Sequence, residues 1–179
     1  RRSSDLDHAF HRLHPVEYKE IAARVVMKRR EREAWLDERI ASLQDRLQKA
    51  DISASVIGRP KHLYSIYRKM IQQMKDFDEV MDMQALRIIT ETTADCYNAL
   101  GIVHRMWKPI PGRFKDYIPM PKPNGYQSIH TTVICEQGKP LEVQIRTKKM
   151  DEMAQVGIAA HWLYKEGDQR ADRNLEERL

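Results

Sequence analysis

Asp82 and Glu142 are the carboxylates on which a phosphate chemistry could turn. Their hard oxygens suit Mg2+, which keeps coordination positions open for substrate phosphates. Such an ion neutralises charge on a transferred group and helps activate an attacking hydroxyl. Arg59, Lys61, Lys69, Arg113 and Lys115 would balance the polyphosphate charge that one metal leaves over. Tyr126 ends the run Pro123-Asn124-Gly125-Tyr126, a turn that would hold its ring still. A fixed ring offers a platform for a nucleobase, worth about 1–3 kcal/mol. The competing reading of Tyr126 is a packed turn residue.

Placing these groups together requires a sheet with one polar face. From Pro111 to Thr147 the chain reads as β-patterned runs joined through a Pro/Gly loop. Arg113 and Lys115 project to one side of an extended chain, and Asp116 to the other. Ser128, His130 and Thr132 share one face, with Ile129, Thr131 and Val133 on the reverse. Glu142, Gln144 and Arg146 likewise lie opposite the apolar Leu141, Val143 and Ile145.

Upstream, Asp51 to Ile57 alternates as a first strand, punctuated by Gly58 and Pro60. Lys61 to Lys75 reads as a helix with Lys61, Ser65 and Lys69 along one face and Leu63, Ile66, Tyr67 and Met70 on the buried side. Arg59 stands at its mouth. A helix N-terminus with a row of Lys and Ser suits nucleotide phosphates, or is an ordinary basic face. A second strand, Ala85 to Ile89, has Asp82 near its entry. Thr92, Thr93 and Asp95 offer N-caps for a helix whose core stripe is Tyr97, Leu100, Val103, His104 and Trp107. Pro109 and Pro111 end it. Lys148 to Lys165 reads as a last helix. After the opening helices the order is β-α-β-α-β-β-α, a mixed sheet with helices packed on it.

The opening helices look like a connector. Pro15 starts one, with Ile21, Val25 and Val26 as its stripe. Leu36, Ile40, Leu43 and Leu47 mark an amphipathic helix beyond the charge run Lys28 to Glu33. His8, His11 and His14 at helical spacing could hold a metal, but with no carboxylate or thiol clearly placed among them, packed or solvated histidines are the better reading.

The 179 residues suffice for one domain with a helical extension. A net charge of +5 favours an anionic partner and leaves nucleotide, nucleic acid and acidic protein open. No apolar run approaches a membrane span, and a cytoplasmic protein is expected. Cys96 and Cys135 read as reduced structural thiols. Walker A, G-x-G-x-x-G, G-x-S-x-G and C-x-x-C patterns are absent.

A resemblance carries the reading further. Gly58-Arg59-Pro60-Lys61-His62, Ser65 to Met70, Arg113-Phe114-Lys115-Asp116-Tyr117, Lys122 to Thr131, Glu142 to Thr147 and Gly157 to Trp162 are similar to the synthetase domain of the RelA/SpoT family. The resemblance implies an α+β, nucleotidyltransferase-like fold with a mixed, mainly antiparallel sheet flanked by helices. It implies a synthetase domain over residues 51–167, preceded over 1–50 by a helical linker or the end of an upstream hydrolase domain; 168–179 reads from its composition as a charged tail. The implied activity moves the β,γ-pyrophosphate of ATP to the 3′-hydroxyl of GTP or GDP, giving AMP and the alarmone (p)ppGpp.

Carried over by motif, Asp82 and Glu142 would hold Mg2+, and Glu142 would assist deprotonation of the hydroxyl. Arg59 would stack on adenine, with Lys61, Ser65 and Lys69 on the ATP phosphates. Tyr126 would stack on guanine, with Lys122, Asn124, His130 and Ala154 around it and Gln144 and Arg146 as supports. Arg113 and Lys115 belong to the basic R-x-K-D version of a motif, which implies a parent that both makes and hydrolyses the alarmone. That parent would add an upstream hydrolase domain and C-terminal regulatory domains, with the ribosome reached through them. Gln84 departs from the family, which usually has an apolar residue there. The alternative is a catalytically silent nucleotide- or RNA-binding domain using the same basic face.

Overall fold

Alternating side chains on two central strands, Leu86 and Ile88 on one and Leu141, Val143 and Ile145 on the other, build the floor of the molecule. The computed structural model describes residues 2–59, 63–76 and 83–157, with side chains for all but 2–6, 24–31 and 63–65. Lys61, Asp82, the tail over 168–179 and the side chains of Val25, Val26, Leu63 and Ser65 therefore lie outside the described set. Helices α1 (Arg2–Leu13) and α2 (Pro15–Lys49) lead into β1 (Ala54–Gly58), α3 (Leu63–Gln72), β2 (Gln84–Thr90) and α4 (Thr93–Met106). Two short strands follow, β3 (Lys108–Pro109) and β4 (Lys115–Asp116), then β5 (Ile129–Ile134) and β6 (Pro140–Thr147). The chain is helical again from 148 to 157, here α5, the described part of the expected last helix.

The strands form one sheet in the order β1-β2-β6-β5-β3, with β4 also pairing β5. Among the described residues only β2 and β6 run parallel; every other pairing is antiparallel. This is the mixed, mainly antiparallel sheet expected from the sequence. Its apolar face carries Leu86, Ile88, Ile129, Val133, Leu141, Val143 and Ile145, covered by α4 and the second half of α2. Cys96 and Cys135 are buried and free, and burial pushes the Cys135 thiol up to about 12, which leaves it unreactive at neutral pH.

Three details differ from the sequence reading. The opening helical stretches beyond Pro15 are one continuous helix of 35 residues. The intervening Lys, Arg and Glu are good helix formers, and no Gly or Pro interrupts them. Leu43 and Leu47 are fully buried in the same core as the sheet, so the end of this helix is part of the floor. In α4 the buried stripe is Cys96, Ala99, Ile102 and Val103; Tyr97 instead turns outward, 40% exposed, and donates its hydroxyl to Asp116 Oδ2 at 2.8 Å. Third, β1 starts at Ala54 rather than Asp51, because residues 50–52 close off α2.

That closure is a Schellman motif. The amide of Ile52 donates to the Leu47 carbonyl at 3.0 Å and that of Asp51 to Gln48 at 3.1 Å. Asp51 has φ of 56°, a left-handed conformation that favours glycine. Asp51→Gly is therefore expected to stabilise the fold by about 0.5–1 kcal/mol, read from the urea midpoint. Next to this turn, Gln44 protects the free edge of β1. Its Nε2 donates to the Ala54 carbonyl and its Oε1 accepts from the Val56 amide, the pair of bonds a further strand would make.

A second, smaller core lies apart from the first. Phe10 of α1, Ile21 of α2 and Ile66 of α3 are buried together, with Tyr18, Tyr67 and Met70 against them. His11 packs edge-on to Tyr18, and His14 lies against Phe10 and Tyr67. These ring contacts make His11 and His14 packing residues.

Candidate active site

Register decides what the polar face presents. Glu142 stands between Ala85 of β2 and Thr132 of β5. Gln144 stands between Arg87 and His130, and Lys115 of β4 lies across from His130. Arg146 stands beside Ile89 on β6. The expected alternation on β6 therefore holds, with Glu142, Gln144 and Arg146 on one face.

The short neighbours of Glu142 leave its carboxylate open, with its side chain 30% exposed. Arg59, just past β1, is tied to the sheet by its amide, which donates to the Ala85 carbonyl. Its guanidinium reaches to 3.9 Å from Glu142 Oε2. Charge attraction at that distance and exposure contributes little to stability. Its consequence is placement, since Arg59 and Glu142 address the same space.

The Tyr126 turn is built by its own sequence. Gly125 takes φ of 83° and its amide donates to the Lys122 carbonyl, while Asn124 Oδ1 accepts from the Tyr126 amide at 3.1 Å. The ring then lies edge-on to His130 and Tyr117, at 5.6 and 6.2 Å between centroids. Lys122 Nζ sits 4.8 Å from the Tyr117 ring centre and 5.4 Å from that of Tyr126. The Arg146 guanidinium lies 5.7 Å from the Tyr126 centre. Such contacts hold cations beside aromatic faces.

The Tyr126 hydroxyl is 2.6 Å from His130 Nε2 and 3.5 Å from Arg146 Nη1. Arginine only donates, so the tyrosine oxygen accepts from Arg146 and its own proton is available to Nε2. A neutral His130 with its proton on Nδ1 satisfies that order. Burial, followed by the positive field of Lys122, Arg59, Arg146 and Arg87, pulls the His130 pKa down to about 4. Between the ordinary 6.5 and about 4 the unfolded chain then binds a proton that the folded chain refuses. Stability therefore falls with acid across that window. Relative to His130→Gln, the wild type is expected to lose about 1–2 kcal/mol between pH 7 and pH 5, measured by urea unfolding.

Beneath Tyr126 lies a charge cluster that the sequence reading did not find. Asp151 of α5 places Oδ1 at 2.9 Å from Arg146 Nε and 3.3 Å from Arg87 Nη1. The Arg87 contact is a hydrogen bond; the Arg146 Nε–H is not aligned on the oxygen, and that contact is an ion pair. Arg146 is nearly buried, its side chain 3% exposed. In the sequence Arg87 is a lone arginine within an apolar strand, with no local signal of a partner. Only pairing with β6 brings it beside Arg146.

The remaining predicted residues stand as follows. Ala154 is buried one turn beyond Asp151 on α5. Arg113 is exposed on the turn before β4, and Lys69 is exposed on α3, whose buried side joins the smaller core. Asp116 faces away from the site, as expected, and clamps β4 to α4 through Tyr97. Ser128, read with the polar face, is fully buried beside the Ile145 carbonyl at 3.1 Å.

Residues 58–169 match the model of the region found in RelA / SpoT proteins. The chain belongs to the RelA/SpoT family. It is 50% identical over 161 residues to a GTP pyrophosphokinase of Escherichia coli K12, covering 90% of this chain and 22% of that protein. A probable guanosine-3′,5′-bis(diphosphate) 3′-pyrophosphohydrolase of Synechocystis is 53% identical over 161 residues, with 89% and 21% covered. The chain thus spans about a fifth of the length of these RelA/SpoT relatives. Its fold is that of the small alarmone synthetase 1 of Bacillus subtilis bound to its product pppGpp, with TM-score 0.60, 23% identity and 82% of each chain covered. A GTP pyrophosphokinase family protein of Streptococcus pneumoniae gives TM-score 0.58 at 23% identity, covering 74% of this chain and 72% of that one. Among the described residues no helix is long and apolar enough to cross a membrane.

Proposed function

We propose that this chain is an alarmone synthetase domain, transferring the β,γ-pyrophosphate of ATP to the 3′-hydroxyl of GTP or GDP. The observation that carries the reading is the meeting of Glu142, Arg59, His130 and Tyr126 on one polar face, in a chain half identical to a GTP pyrophosphokinase. The 3′-oxygen attacks the β-phosphorus, the bond from that phosphorus to the α,β-bridging oxygen breaks, and AMP leaves. Glu142 takes the hydroxyl proton.

Arg59 stacks on adenine, and Lys61, Ser65 and Lys69 hold the ATP phosphates. Tyr126 stacks on guanine within a frame of Lys122, Asn124, His130 and Ala154. Arg113 and Lys115 meet charge that develops on the transferred group. The open, hard-oxygen carboxylate of Glu142 fits Mg2+, with Asp82 as the second ligand. Bound there, the ion would supply charge neutralisation and a more acidic hydroxyl. The basic Arg113-Phe114-Lys115 run supports a parent that also hydrolyses the alarmone.

Incubation with ATP, GDP and Mg2+, followed by product chromatography, tests the proposal. AMP and ppGpp should appear in equal amounts, and neither without GDP. AMP release that needs no guanine nucleotide would overturn the reading. So would steeply salt-dependent RNA binding with no turnover.

A further inference from the structure

Asp151 is four-fifths buried, and its carboxylate is drawn onto two cations from different strands. Arg87 and Arg146 lie near-diagonal on adjacent parallel strands, so their guanidiniums are crowded on one face. Burial and the nearby Arg146 both lower the Arg87 pKa, while Asp151 raises it, which marks the carboxylate as the group offsetting their repulsion. Arg146 in turn reaches the Tyr126 hydroxyl, and that hydroxyl reaches His130 Nε2. The contacts thus run from α5 through a buried arginine to the ring proposed for guanine.

We infer that Asp151 is a positioning residue for the guanine acceptor, acting through Arg146 to fix the tilt of Tyr126 and the tautomer of His130. The inference rests on the proposed function, since it concerns the same site. Asp151 touches neither nucleotide. With its charge removed, the two arginines separate, Arg146 leaves the tyrosine oxygen, and the ring is no longer held at one angle. The donor side, on Arg59 and α3, is untouched. A residue serving stability alone would affect unfolding without distinguishing the two nucleotides.

Asp151→Asn should therefore weaken GDP binding by about tenfold in calorimetry while ATP affinity stays within twofold. Asp151→Glu, which restores the charge, should recover most of that loss. The decisive arm is Tyr126→Phe, which cuts the relay at the hydroxyl and keeps the ring. In that background D151N should change GDP affinity less than twofold, although it lowers the unfolding midpoint as much as in the wild type. The inference is overturned if D151N leaves GDP affinity within twofold, or if its effect and that of Y126F simply multiply.

A wild type that binds neither GDP nor GTP would sink the proposed function. The relay is then judged by the His130 imidazole NMR signals, which both D151N and Y126F must shift. Unmoved signals in D151N would refute it. If D151N does not fold, Y126F carries the test alone: an unshifted His130 signal there would reject the relay.

Discussion

Glu142→Gln is expected to lower pyrophosphate transfer by roughly a thousandfold, with folding and GDP binding retained. Glutamine keeps the volume and one carbonyl oxygen but removes the negative charge that a hard cation requires. It also ends proton acceptance from the hydroxyl. Losing several kcal/mol of stabilisation in the transition state corresponds to about that factor. The stability change should be small. The ion pair that Glu142 makes with Arg59 is long and exposed, and such pairs are worth about 0–1 kcal/mol. Rates from product chromatography, set beside urea unfolding of the same sample, separate the two effects. Turnover within tenfold of wild type would remove Glu142 from the chemistry.

The largest effect on folding should come from a residue far from any nucleotide. Leu47 is fully buried, packed on all sides in the core beneath β1 and β2. Leu47→Ala removes apolar volume from a site that the sheet and α4 hold rigid, at a cost of about 2–5 kcal/mol. Against it, Leu13→Ala, at a position 55% exposed, should shift the urea midpoint by little. Equal effects at both positions would mean that the end of α2 is not part of the sheet's core.

Much of the site was legible because strand alternation is a local signal. Leu141 to Arg146 declares its two faces in six residues, and the structure keeps them. The Asn124-Gly125 turn declares itself in the same way. Arg87 and Asp151 could not be read. Nothing near either in sequence calls for the other, and they meet only because β2 and β6 pair side by side and α5 turns back over them. Tyr97 failed for a subtler reason. An aromatic beside a core stripe is usually drawn inward, but here a carboxylate on a two-residue strand satisfies its hydroxyl at the surface. The pairing of Asp82 with Glu142, central to the sequence reading, falls outside the described residues.

The small core of Phe10, Ile21 and Ile66 has a mechanical meaning. Lys69 rides on α3, which is anchored to the opening helices, whereas Tyr126 and His130 ride on the sheet. α2 belongs to both bodies and, at 35 residues, is a rod about 50 Å long. The one helix thus ties the segment carrying Lys69 to the floor carrying Tyr126 and His130, so a displacement of α2 would be felt by both.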